Sequence, residues 1–170
     1  MKKHLALLSM AWVTLASYGQ RGFGFDVGFT TSKAPMVALK YFLDKNAASI
    51  GVSYQIFNDA LGSKEDVYTP GTVTAIGDGD YFYSIDVGYT RVLSDNFALS
   101  AEVSFVKREY YQNLSDYSFS EGGYHIIYKT KNEVGFGGFL TYYFSDVVGL
   151  FAGYNSTRKA AIGVQFRFLK

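Results

Sequence analysis

Residues able to do covalent chemistry are few in this chain. Cysteine is absent, which removes thiolate nucleophiles, disulfide staples and sulfur-ligated metals together. Of the two histidines, His4 stands among basic residues at the N-terminus, and His125 lies a few residues from Ser118, Ser120 and Glu121. Base, hydroxyl and carboxylate are the parts of a nucleophilic triad, which works only when base and nucleophile are within hydrogen-bond reach and a third group orients the base. Nothing in this spacing imposes that arrangement, and serine-rich loops supply the same residue types for turns alone. Asp78 and Asp80, interleaved with Gly77 and Gly79, offer oxygen ligands, but the full calcium-loop pattern is missing. A Gly-Asp turn where a loop meets a strand accounts for them. The remaining chemistry is electrostatic and rests on Asp26, Lys40, Asp86, Glu102, Glu133 and Arg167.

Strands must position these charges. Tyr and Phe contribute 15 residues each, against 18 Gly and only 2 Pro; aromatics favour strands, and glycine weakens helices. Phe23, Phe25, Val27 and Phe29 alternate with Gly22, Gly24, Asp26 and Gly28, the period of two that gives a strand two different faces. The same alternation runs through residues 37–43, 49–56, 81–90, 97–105, 133–144, 148–154 and 161–168, making eight segments in all. Each has about the length a tilted membrane strand requires. All six charges fall on the small or polar face.

The connections repeat a second pattern. Asp44-Lys45-Asn46, Ser94-Asp95-Asn96 and Ser145-Asp146-Val147 are short, whereas the third and fifth connections run about 58–79 and 112–131. Short turns at one end and longer loops at the other, with an even strand count, are the topology of a membrane barrel with both termini on the periplasmic side. The first and last outer loops, near residues 31–35 and 156–159, are short ones.

Lys2, Lys3 and His4 precede an apolar run from Leu5 to about Ala16, and the small residues Ser17 and Gly19 suit cleavage before Gln20. The run is short of the roughly 20 residues that span a bilayer as a helix. Residues 1–19 therefore read as a signal peptide and 20–170 as one exported domain. Removing the peptide shifts the formal net charge from +1 to −1, with no basic surface suited to nucleic acid. No recognisable ligand set for a metal or cofactor is present. A soluble barrel would turn its apolar face inward. Here the opposite face is rich in glycine, which suits the interior of a narrow barrel. Aromatics also gather near the ends of the apolar face: Phe23, Tyr41, Tyr89, Phe97, Tyr142 and Phe168 toward one rim, Tyr54, Tyr81, Tyr83 and Tyr154 toward the other. Two such girdles mark a membrane barrel.

Gly163, Phe166 and Phe168, followed here by Leu169 and Lys170, resemble the C-terminal assembly signal of outer-membrane proteins. With the eight alternating segments they make residues 21–168 resemble the OmpA/OmpX-type barrels of the porin-like families of Gram-negative envelopes. That resemblance implies an all-β, eight-stranded antiparallel up-and-down transmembrane barrel behind a signal peptide, with outer-membrane lipid and the barrel assembly machinery as partners. Small barrels of this size that act on lipid A use a histidine with serine and an acidic partner at the outer rim, which would make His125 the residue to test for a lipid-modifying enzyme. A non-enzymatic structural or adhesion-like surface role is the leading expectation. A narrow solute or proton channel gated by the lumen charges is the alternative. Residues 106–111 and 124–129 extend the third hairpin beyond the membrane, and its exposed strand edge could take up an extracellular protein by β-augmentation. Val103→Arg should place a charge on the lipid face near mid-membrane and cost about 2–4 kcal/mol. Urea unfolding in lipid vesicles measures this, and an unaltered midpoint would reverse the assignment of faces.

Overall fold

A computed structural model describes residues 21–65, 73–116, 118–119 and 121–170. The expected signal peptide lies outside the described residues, as does Ser120. The strands are β1 (Arg21–Thr30), β2 (Pro35–Leu43), β3 (Asn46–Tyr54), the two-residue β4 (Lys64–Glu65), β5 (Thr74–Val92), β6 (Phe97–Ser115), β7 (Gly123–Tyr143), β8 (Val148–Asn155) and β9 (Lys159–Leu169). Eight of them form an antiparallel ring in which each strand pairs with the next, β3 with β5, and β9 with β1. Closure matters because hydrocarbon offers no partner to a free backbone N–H or C=O.

Register carries the alternation around the ring. Asp26 lies opposite both Ala38 and Gln165, and Val27 opposite both Val37 and Val164. Every pairing thus matches inward with inward residues, and the whole apolar set meets the surroundings. Phe23, Phe136 and Ile162 are each about two-thirds exposed, and Leu39, Ile50, Val87, Leu99 and Leu140 are also exposed. This continuous apolar wall is what a lipid-facing barrel presents. At the rim with short turns, Phe23 packs on Tyr41 and Phe97 on Tyr142 with ring centroids 5.1 and 5.2 Å apart. Inside, Met36, Phe139, Phe151 and Ala161 form one apolar cluster, and Ala34, Phe82 and Val106 form a second.

Two sequence expectations change. β5 begins at Thr74, so Gly77 to Asp80 lie within a strand beside a bulge at Ala75–Gly77 and are not a turn. Tyr81 is 8% exposed and takes no part in the outer girdle, because a segment of the third connection crosses over it. The long hairpin is confirmed and is longer than its sequence reading: β6 and β7 pair continuously, apart from a bulge near Tyr110–Tyr111, up to Ser115 and Gly123.

Glycine is required where β9 closes on β1. A Cβ at Gly163 would collide with the Val27 carbonyl oxygen, the Phe151 ring and the Cα of Gly28, and backbone atoms cannot move aside without breaking the seam. Gly163→Val should cost at least the roughly 1–3 kcal/mol typical of overpacking. Boiled and unboiled samples run side by side on a gel should show a smaller folded fraction than wild type; equal fractions would mean that the seam relaxes freely.

Candidate functional site

Of the six charges anticipated for the lumen, Asp26, Lys40, Asp86, Glu102 and Arg167 lie between the strands of the ring and Glu133 does not, and they do not form one network. Asp26 and Lys40 pair at 2.9 Å near the end with short turns. Gln165 donates to Asp26 at 2.6 Å and accepts from the Tyr143 hydroxyl. Arg167 sits over the Tyr143 ring, its Cζ 3.7 Å from the centroid, and donates to the carbonyls of Asp146 and Asp95 at 2.9 and 3.0 Å. It therefore stitches two short turns together across the opening, with the fully buried Phe42 beside this layer.

Asp86 and Glu102 have a different partner, which the strand pattern did not reveal. Arg158, in the turn between β8 and β9, reaches back into the barrel and is 1% exposed. Its guanidinium pairs with Glu102 and, at 3.2 Å, with Asp86. Asn155 supports the arrangement, donating to Glu102 at 2.7 Å and to Ser104 at 2.9 Å, while its carbonyl oxygen accepts from the Thr157 amide and hydroxyl. Ser53 and Ser84 share a 2.6 Å hydrogen bond, and Ser84 donates to Asp86 at 3.1 Å. A buried carboxylate pair needs such a cation, because uncompensated charge costs several kcal/mol. Between the two arginine layers lies a cavity of about 30 Å³ lined by Lys40, Asp86, Glu102 and Thr141 among others. One oxygen of Asp86 and the Thr141 hydroxyl have no protein partner, so the cavity has the size and polarity to suit a single water molecule.

Glu133 stands above the barrel, held by Lys131 at 3.0 Å and by Arg108 at 3.5 Å. Arg108 also pairs with Asp80 and lies over Phe82, the lid of the upper apolar cluster. Arg108 and Asp80, together with Lys33, Gln55, Asp59 and Asp78, border an open polar vestibule of about 370 Å³.

Beyond the apolar wall β5, β6 and β7 continue as a three-stranded ribbon, and residues 58–65 cross its outer face as a strap. Asn113 donates to the Asp59 carbonyl at 2.8 Å and accepts from the Leu61 amide at 2.9 Å. β4 then pairs in parallel with His125–Ile126. The expected open edge of β7 is thus partly filled by the chain itself. On the side of β7 away from β6, residues 127–135, including the exposed Lys129 and Lys131, have no paired strand among the described residues. Under the strap, Tyr81 stacks on Tyr111 with centroids 5.9 Å apart, and His125 meets both rings edge-on. His125 Nδ1 faces the Leu61 carbonyl at 3.0 Å. Ser118 instead donates to Asp116 at the hairpin tip, so the structure gives His125 a packing role and brings no described hydroxyl onto it.

Glu109 is the electrostatic anchor of the strap. It accepts from Tyr81 at 3.0 Å and pairs with Lys64 at 3.1 Å and Lys107 at 3.2 Å. Burial pushes its carboxyl up, but hydrogen bonds from Lys64, Tyr81 and Lys107 outweigh burial and hold it below the ordinary carboxylate value. Burial and the neighbouring Glu109 carboxylate push the Tyr81 phenol up.

These features define a closed eight-stranded transmembrane β-barrel with a filled interior and a braced ribbon at one end, the fold of the OmpA/OmpX-type outer-membrane barrels. Solved structures that share it include the following two. The attachment invasion locus protein Ail of Yersinia pestis, in complex with the heparin analogue sucrose octasulfate, is 10% identical over 88% of this chain and 95% of its own, with a TM-score of 0.50. The N-terminal β-barrel domain of Pseudomonas aeruginosa OprF is 14% identical over 89% of this chain and 100% of its own, also with a TM-score of 0.50. No protein-family model and no curated protein sequence matches the chain.

Because the Glu109 carboxyl is held low, its contribution to strap docking is complete above the unfolded carboxylate value of about 4.3 and is lost as pH falls through the lower folded value. The protection factor of the His125 amide, which donates to the Ser63 carbonyl at 3.1 Å, should therefore fall on acidification below about pH 4. An exchange rate that follows only the intrinsic pH dependence would show that Glu109 does not anchor the strap.

Proposed function

We propose that this protein is a non-enzymatic outer-membrane barrel that presents its ribbon and vestibule for surface interaction. The carrying observation is a contrast: side chains fill the lumen and arginines close both its ends, while β5, β6 and β7 project past the apolar wall and are strapped into a fixed shape. Residues 1–19 direct export, residues 20–170 form the barrel domain, and Gly163, Phe166 and Phe168 address the chain to the barrel assembly machinery. The end with short turns faces the periplasm and the ribbon faces outward. Within this reading, the fold shared with an attachment and invasion protein supports an adhesion-like role. An extracellular protein partner would meet the hairpin spanning residues 106–129, with the β7 edge beside it.

A narrow channel is the second reading, and the small cavity between Arg158 and Arg167 is its only specific support. Conduction would require Arg158 to leave Asp86 and Glu102. A lipid-modifying role for His125 has no such support, since its ring packs edge-on against the stacked Tyr81 and Tyr111.

Two measurements separate these readings. Cells displaying the protein should be retained on surfaces coated with sulfated polysaccharide or extracellular-matrix protein, and replacing residues 112–127 by a short turn should reduce retention about tenfold. In planar bilayers the wild-type barrel should stay near background, and Arg158→Ala should open measurable steps while lowering stability by about 3–5 kcal/mol. Retention unaffected by the shortened hairpin, together with steady wild-type openings, would favour the channel instead.

A further inference from the structure

The wall of the barrel is not uniformly high. Where β2, β3 and β5 run side by side, Val37 lies opposite Val52 and Val52 opposite Ile85. Pro35, Tyr54 and Tyr83 border these shorter side chains and complete an apolar groove of about 340 Å³. The groove opens onto the face that meets hydrocarbon, so its occupant must be soluble there.

The same face changes character directly above. Tyr83 lies opposite Lys107, whose ammonium stands 5.6 Å from the Tyr83 ring centroid. Lys107 and Lys64 share one carboxylate, that of Glu109, at 3.2 and 3.1 Å. The Glu109 side chain is 10% exposed, whereas those of Lys107 and Lys64 are 40% and 46% exposed. Tyr81 holds the carboxylate from beneath at 3.0 Å. The anion is therefore inside and the cations outside, so the two ammoniums and one carboxylate of this cluster sum to one positive charge. Lysine is a common binder of phosphate, acting as a point charge.

We propose that the groove and the Lys64–Glu109–Lys107 cluster form one site for a phosphorylated, acylated lipid of the outer leaflet. An acyl chain lies along Val37, Val52 and Ile85, and a headgroup phosphate sits against the two ammoniums. The inference rests on the orientation proposed above, with the ribbon outward. It also gives the strap a second purpose. Because Lys64 belongs to the strap, bound lipid favours the docked strap over the released one and stabilises it by mass action.

The test uses the folded barrel in nanodiscs of zwitterionic lipid doped with bisphosphorylated lipid A or with its phosphate-free form. Native mass spectrometry counts the lipids retained on the protein, and hydrogen exchange reads the strap at residues 61–65. Wild type should retain one phosphorylated lipid and protect the strap more strongly in its presence. Lys64→Gln with Lys107→Gln should weaken retention about tenfold, and Val52→Trp, which fills the groove and leaves the cations intact, should weaken it as well. Equal retention of the phosphate-free lipid, or retention indifferent to both variants, would overturn the site. Displacement by millimolar inorganic phosphate with no effect of Val52→Trp would reduce it to a phosphate site and refute the lipid. A gel shift on boiling checks insertion of every variant. A wild-type protein lacking that shift would overturn the membrane reading itself, a failure distinct from loss of lipid selectivity in an inserted barrel.

Discussion

Hydrocarbon cannot solvate a peptide group, and most features of this molecule follow from that. A strand crossing a bilayer must satisfy every N–H and C=O along its length with neighbouring strands, so a sheet survives there only as a closed ring. The closing pairs, β9 with β1 and β7 with β8, are structural necessities. Their crowding explains why Gly163 meets the Val27 carbonyl with no room for a side chain.

Closing eight strands leaves an interior too narrow for bulk water, and this decides the fate of the charges. Each ionised group turned inward needs a counter-charge or several hydrogen bonds. Asp26 finds Lys40 within the ring, and Arg167 finds two turn carbonyls and an aromatic face. Asp86 and Glu102 find no strand cation, and Arg158 enters from a turn to pair with both. The interior is thus a stack of small layers, each charge holding partners close by. Such layering suits a barrel whose activity lies outside the lumen, and it makes Arg158 the group whose movement any conduction would need.

Above the membrane the constraint relaxes. Three strands continue into water, where an uncovered sheet edge invites unwanted pairing. The strap answers part of that hazard by supplying β4 to the β7 edge and by burying Tyr81, Tyr111 and His125. It also gathers Lys64, Glu109 and Lys107 from separate stretches of chain onto one rim. Structure that protects the ribbon and structure that could meet a ligand are therefore the same structure.

The sequence by itself determined the strand number, the lipid-facing set and the inward direction of Asp26, Lys40, Asp86, Glu102 and Arg167, while Glu133, on the same face of its strand, ends above the ring. A period of two is local, and a one-residue slip would expose the entire polar face, so the pattern tolerates no other register. Only the tertiary structure decided which charges meet. Arg158 lies in a turn, where alternation assigns no face, and its partners are 56 and 72 residues away in sequence. Tyr81 continues the girdle pattern without a break, and its burial depends on a strap whose path no periodicity records. Local period reports which way a strand residue points; loops acquire direction only from the surface they land on.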